Sequence, residues 1–193
     1  MRRSREDVRK TREALVEVAS RLIRERGIAG TSVADVMGAA GMTAGGFYRH
    51  FESKEALVAE ALDAAAAGTR ATLDRAAAAA PDSAFSARAE QYLSEAHRAH
   101  PERGCPLAAL ATEVAREPRQ VRRAFGAALE RAVETIARDV RAPEGRQRAA
   151  ALRAIATMVG AVALARALPE GALSDELLVA VREALVDPER MTH

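Results

Sequence analysis

The chain has 193 residues, with 29 Lys and Arg against 27 Asp and Glu and a formal net charge of +2. Hydrophobic residues make up 49%, enough for a core, which excludes intrinsic disorder. Alanine accounts for 47 residues, arginine for 27 against two lysines, and aromatics for only 3%; this mixture favours helix and argues against an all-β or doubly wound fold.

The N-terminus MRRSREDVRK is charged and has no apolar run after it, so no secretory signal is expected. The longest nearly apolar stretch, Ala154 to Ala165, is too short to span a bilayer. Cys105 is a lone cysteine and forms no internal disulfide, so a cytoplasmic protein without membrane contact is expected. The charge is uneven: residues 1–55 carry 11 basic and 8 acidic groups, the remaining 138 carry 18 and 19. The positive excess sits at the front, either as a basic arm or face or as a solvated terminus.

In chain order, Leu15, Val18, Ala19, Leu22 and Ile23 form one face of an amphipathic helix from about Asp7 to Arg26, stopped by Gly27. Thr31-Ser32 reads as an N-cap for a short second helix with Val33, Val36, Met37 and Ala40 as its buried stripe, closed by Gly41. Thr43 opens a very short third helix through His50. Ser53 caps a fourth, which reaches as far as Ala80 before Pro81-Asp82-Ser83 breaks it. Half of the six aromatics lie in Phe47-Tyr48-Arg49-His50-Phe51, and Phe47 and Phe51, four apart, read as the plug of a small core. Further helices are expected at 84–99, 107–115, 118–140, 147–167 and 175–186, with prolines at their edges. The fold class is all-α: residues 1–53 as a three-helix helix-turn-helix unit and 54–193 as a second helical region.

The stretch Thr11 to Leu57 carries the Leu22-Ile23 pair, Gly27, Thr31-Ser32, Asp35-Val36, Ala40-Gly41-Met42-Thr43, Gly45, Phe47-Tyr48, His50-Phe51, Lys54 and Leu57. This pattern resembles the DNA-binding domain of TetR/AcrR-family transcriptional regulators. The resemblance implies a dimer that binds a double-stranded, palindromic operator, most simply as a repressor released by a small-molecule effector. It also implies phosphate contacts at Thr43, Tyr48, His50 and Lys54.

The residue types suit duplex recognition on their own account, because hydroxyl, phenol, imidazole and ammonium groups grip phosphates while a helix lies in the major groove. Thr31 and Ser32 can reach the other strand. Base reading falls to Ala44, Gly45, Gly46 and Arg49: Ala44 against a thymine methyl, Arg49 against either guanine or phosphate. Gly45-Gly46 departs from a common family pattern with a larger side chain after the first glycine, and close approach of backbone to the groove is one use for it. Arg2, Arg3 and Arg5 are either a minor-groove arm or a solvated end. Tyr48 and His50 each have a purely packing alternative.

In the second region an effector pocket is expected around Phe85, Tyr92, Phe125 and Met158, with an apolar ligand. Leu152, Ala156, Val159, Gly160 and Ala163, with Leu177 and Val181 on the last helix, make a dimer face; the alternative is packing inside one chain. Cys105, beside Arg103 and the start of a helix, is either a thiol sensor of oxidants or electrophiles or a small buried apolar residue. Glu95, His97, His100 and Cys105 form only a loose metal constellation, and neither metal nor cofactor is expected. No GxGxxG, GxxxxGK[ST], HExxH or GxSxG occurs, so no enzyme is expected; a helical protein-binding adaptor is the rival from another class.

Overall fold

The computed structural model describes residues 5–169 and 171–186. Among them the regular structure is helical: α1 Arg5–Arg26, α2 Val33–Ala39, a 3-10 helix Ala44–Arg49, α3 Lys54–Ala79, α4 Ala84–Tyr92, α5 Glu95–Ala99, α6 Pro106–Val114, α7 Arg119–Asp139, α8 Gln147–Ala167 and α9 Ala172–Val186. The chain divides into two compact units, Met1–Ala67 with Cys105–Ala128, and Gly68–Gly104 with Leu129–His193. The first unit therefore holds more than residues 1–53: the start of α3, all of α6 and the first half of α7 belong to it.

The core of the first unit joins Leu15, Leu22 and Ile23 of α1 to Val36 and Met37 of α2, Phe47 and Phe51, Leu57 and Leu62 of α3, Leu110 and Val114 of α6 and Val121 of α7. The two phenylalanine rings stack with centroids 5.7 Å apart. Burying each contributes roughly 1.5–3 kcal/mol.

Two glycines set the chain direction. Gly27 (φ +81°) ends α1 with its N–H on the Ile23 carbonyl at 2.9 Å, the single-bond left-handed cap. Gly41 (φ +70°) ends α2: its N–H reaches Gly38 O at 3.0 Å, and that of Met42 reaches Met37 O at 2.8 Å. This paired arrangement closes a helix and turns the chain sharply, which is what a helix-turn-helix needs.

Two elements differ from the sequence expectation. The third helix is a 3-10 helix rather than an α-helix. Gly45 and Gly46 lower the α preference of a six-residue segment, and short pieces of this length are where 3-10 geometry is used. The expected helix 84–99 is two helices, because Ser94 starts a new one: its Oγ accepts from His97 N at 3.2 Å and donates to Gln91 O at 2.9 Å.

In the second unit Arg88 lies almost buried between Asp74 and Asp139, with 2.6 Å bonds to each. Burial works against its charge, but the bonds to Asp139 and Asp74 outweigh it and hold the guanidinium more firmly protonated than usual. Ser174, also buried, donates to Ala165 O at 2.9 Å and accepts from Arg98 at 2.8 Å, tying α9 to α8 and α5. At 21 residues α8 is by length and composition apolar enough to cross a membrane. Its face Ala151, Ala154, Ile155, Met158, Ala161, Val162 and Ala165 is buried, as in a core helix.

Candidate nucleic-acid interface and ligand cavity

The short helix Ala44–Arg49 is held from below and open above. Phe47 is buried and Phe51 nearly so, whereas Tyr48 between them is 78% exposed, its ring edge-on to Phe47 at 5.2 Å. Thr43, Ala44, Gly45 and Arg49 are exposed, and Gly46 is half-buried. Thr43 occupies the N-cap position but makes no side-chain capping bond, so its hydroxyl is not spent on its own helix. Neither Gly45 nor Gly46 has a positive φ, and a Cβ on Gly45 would meet open space. The fold itself does not require glycine at 45.

The remaining expected contacts divide. Ser32 is the N-cap of α2, in a reciprocal capping box: its Oγ accepts from Asp35 N at 3.1 Å, and its own N–H donates to Asp35 Oδ2 at 2.7 Å. The bonds from the Ser32 side chain and backbone hold the Asp35 carboxyl below its usual range. Thr31 does not share the cap. It is only 2% exposed and donates to Gly27 O at 2.8 Å, which withdraws it from any outer surface. Lys54 is half-buried and donates to Ile28 O at 2.7 Å, so one of its three N–H groups serves the fold. His50 is half-buried at the end of the 3-10 helix, where its carbonyl accepts from Arg12. Of the proposed arm, Arg2 and Arg3 lie outside the described residues; Arg5 is the exposed first residue of α1.

Sequence reasoning missed Arg12, Glu60 and Glu113, which position this surface. Arg12 belonged, by charge, to a basic terminus. In the fold it stacks over the Phe51 ring at 4.1 Å and bonds both His50 O and Glu60, joining α1 to the end of the 3-10 helix and to α3. Glu113 of α6 accepts from Ile28 N and Ala29 N just after α1. These contacts span 38 to 85 residues, and no local pattern signals them.

The four residues expected to line one effector pocket do not come together in a single cavity. Tyr92 does line a cavity of about 250 Å³ in the second unit, with Leu73, Thr72, Gln91, His97 and Arg103 among its neighbours. Phe125 packs against the core of the first unit. Met158 is buried core, and Phe85 lines a different cavity. The cavity at Tyr92 is also more polar than the apolar lining expected, because α5 and the residues after it bring His97, His100 and Arg103 to it. His97 Nδ1 lies 2.6 Å from Tyr92 O, and its ring meets Tyr92 edge-on at 4.5 Å. Glu102 sits 3.3 Å from His100 Nδ1 and 3.6 Å from Arg103, offsetting the guanidinium charge.

Cys105 is the N-cap of α6 and is 5% exposed. The Arg103 guanidinium, expected to favour its thiolate, is paired with Glu102 instead. No group of three or more metal-ligating side chains gathers among the described residues. On α8, Leu152 and Ala156 are exposed, and Val159, Gly160 and Ala163 are half-buried, as are Leu177 and Val181 of α9.

Residues 15–61 match the family model described as bacterial regulatory proteins, tetR family, and residues 81–173 match that of the LmrA/YxaF-like transcriptional regulator C-terminal domain. An HTH-type transcriptional regulator of Mycobacterium tuberculosis is 32% identical over 166 residues, covering 80% of this chain and 84% of that one. The crystal structure of a TetR regulator from Chloroflexus aurantiacus superposes with a TM-score of 0.76 at 32% identity, covering 94% of this chain and 97% of that one. Shorter matches include the HTH-type transcriptional repressor KstR2 of Rhodococcus jostii, 45% identical over 51 residues, 26% of this chain. The chain spans no more than 30% of the length of such short-range relatives. With an all-helical fold, a helix-turn-helix at the front and full-length similarity to such regulators, the chain belongs to the TetR family of transcriptional regulators and is not an enzyme.

Proposed function

We propose that the protein is a repressor that binds a palindromic DNA operator as a homodimer and is released by a small molecule. The observation that carries the DNA reading is the run Thr43, Ala44, Tyr48 and Arg49, exposed on one short helix whose other face is locked by Phe47 and Phe51. Thr43 and Tyr48 supply hydroxyls for phosphates, Ala44 a methyl for thymine, and Arg49 a fork for guanine or phosphate. Lys54 and His50 add donors at the edge, and the exposed backbone at Gly45 lets the segment approach the groove closely. Repression is supported by the repressors among the relatives.

In this reading residues 1–53 read DNA and residues 54–193 receive the effector and dimerise. The apolar positions that α8 and α9 leave open support a two-fold interface: Leu152 is 42% exposed, and Leu164 and Leu173 are exposed further. The cavity at Tyr92 is the effector site, and its Thr, Gln and His side chains select a ligand that carries hydrogen-bonding groups on an apolar body. Release requires the ligand to favour the non-binding state by about 1–3 kcal/mol. The helix α3, shared by both units, carries that change. DNA selection from a random pool, followed by binding of the selected duplex to wild type, Tyr48→Ala and Arg49→Ala, tests the reading. A steep fall of affinity with salt is expected for wild type; salt-independent binding, or equal affinity in all three, overturns it.

A further inference from the structure

A second cavity, of about 680 Å³, lies in the second unit where the end of α7 meets the starts of α4 and α8 and the end of α9. Among the described residues it shares no lining residue with the cavity at Tyr92. Its floor is apolar: Ala150 and Ala154 are buried there, and Phe85 and Leu185 stand beside them. Three arginines, Arg138, Arg141 and Arg153, line the same space.

Their state contrasts with other arginines of this unit. Arg88 and Arg148 bond carboxylates, Arg98 bonds Asp175, and Arg166 caps the end of α5 through His97 O and Arg98 O. Among the described residues, Arg138, Arg141 and Arg153 have no ion pair. Among the described residues two carboxylates line the cavity. Asp139 is already held by Arg88 at 2.6 Å, which leaves Asp82, of those described, as the counter-charge to three guanidinium groups. Ser83, the N-cap of α4, makes no side-chain capping bond, so the first turn of that helix adds positive potential. Like charges gathered on an apolar floor repel one another, and a bound anion removes that cost. Guanidinium groups hold carboxylate and phosphate oxygens two at a time.

We propose that this cavity binds an amphipathic anion, with a carboxylate or phosphate head on Arg138, Arg141 and Arg153 and a short aliphatic chain along Phe85, Ala154 and Leu185. The site is separate from the effector site proposed above and does not depend on it.

Calorimetric titration of the full chain at low salt with decanoate, decyl phosphate and decanol tests this. One anion per chain is expected, bound at least about tenfold more tightly than decanol, since charge-assisted hydrogen bonds supply the difference. The tighter of the two anions identifies the head group. Replacing all three arginines (Arg138→Gln, Arg141→Gln, Arg153→Gln) is expected to weaken the anion about tenfold or more and to leave decanol unchanged. All three are exposed, so the fold is retained; Arg153→Gln alone gives a smaller loss in the same direction. Ala96→Leu, which narrows the cavity at Tyr92, leaves anion binding within about twofold, as expected for separate sites. Binding of neither anion at millimolar concentration, equal binding by the triple variant, or loss in Ala96→Leu instead overturns the proposal.

Discussion

The carboxylate of Glu113 accepts from the backbone N–H of Ile28 at 2.7 Å, across 85 residues of sequence. A second bond, from Ala29 N at 3.2 Å, makes the carboxylate a cap on the turn that follows α1. In the same turn the Ile28 carbonyl accepts from Lys54 Nζ and the Gly27 carbonyl accepts from the Thr31 hydroxyl. Glu113, Lys54 and Thr31 together fix the corner from which α2 and then the 3-10 helix Ala44–Arg49 follow. Glycine suits position 27 for two reasons. Its φ of +81° is one that other residues adopt only under strain, and a Cβ would lie 2.8 Å from Glu113 Oε2 and closer still to Oε1, so that the carboxylate would have to shift off the turn.

Removing the carboxylate in Glu113→Ala leaves two backbone donors without their acceptor. A loss of about 1–3 kcal/mol in urea unfolding is expected, with Glu113→Gln recovering part of it because the amide oxygen still accepts. Unaltered stability in Glu113→Ala would show that water replaces the carboxylate at no cost.

Adjacent residues on the short helix should separate stability from DNA binding. Tyr48 is exposed, so Tyr48→Ala should change unfolding free energy by no more than about 0.5 kcal/mol. Phe47 is 1% exposed, and Phe47→Ala should cost about 3–5 kcal/mol. Operator affinity measured on the folded fraction should fall about tenfold in Tyr48→Ala, the loss of one charge-assisted phosphate contact.

The capping box at Ser32 and Asp35 predicts a pH dependence. Asp35 has a carboxyl lowered from 3.8 by the side-chain and backbone bonds from Ser32. A lowered folded value means that its contribution is complete above pH 3.8 and disappears as pH falls through the lower folded value. Wild type and Asp35→Asn, followed by thermal unfolding, should therefore differ at neutral pH and converge in strong acid. A difference that stays constant into strong acid would contradict the assignment.

The triad in the second unit makes a prediction about paired removal. Arg88→Ala strands Asp139, which is largely buried, and should destabilise by about 3 kcal/mol or more. Arg88→Met combined with Asp139→Leu replaces charge by apolar volume and should recover much of the loss. Denaturant unfolding of the single and double variants measures both.

The proposed dimer face has a selective test at Gly160. A Cβ there meets nothing within 4 Å in the single chain, so Gly160→Arg is compatible with the fold of one chain. In a two-fold helical interface the added side chain separates the partners. Sedimentation should show a dimer for wild type and a monomer for Gly160→Arg, with helical content unchanged. A monomeric wild type would refute the dimer.

Local chemistry by itself determined the all-helical class, the stops at Gly27 and Gly41, the cap at Ser32 and the inward pair Phe47 and Phe51. Each depends on residues within a few positions of one another, and periodicity and capping report such relations directly. The motif from Thr11 to Leu57 carried the family as well. Tertiary structure decided which of those residues are free to act. Thr31 turned inward because Gly27 O needed a donor, and Lys54 was partly taken by Ile28 O. Arg12, an anonymous member of a basic end, became a brace across Phe51, His50 and Glu60. The two cavities also required the fold, since their walls come from segments tens of residues apart. Long-range pairings depend on how helices cross, and a one-dimensional pattern of polar and apolar residues carries no record of it.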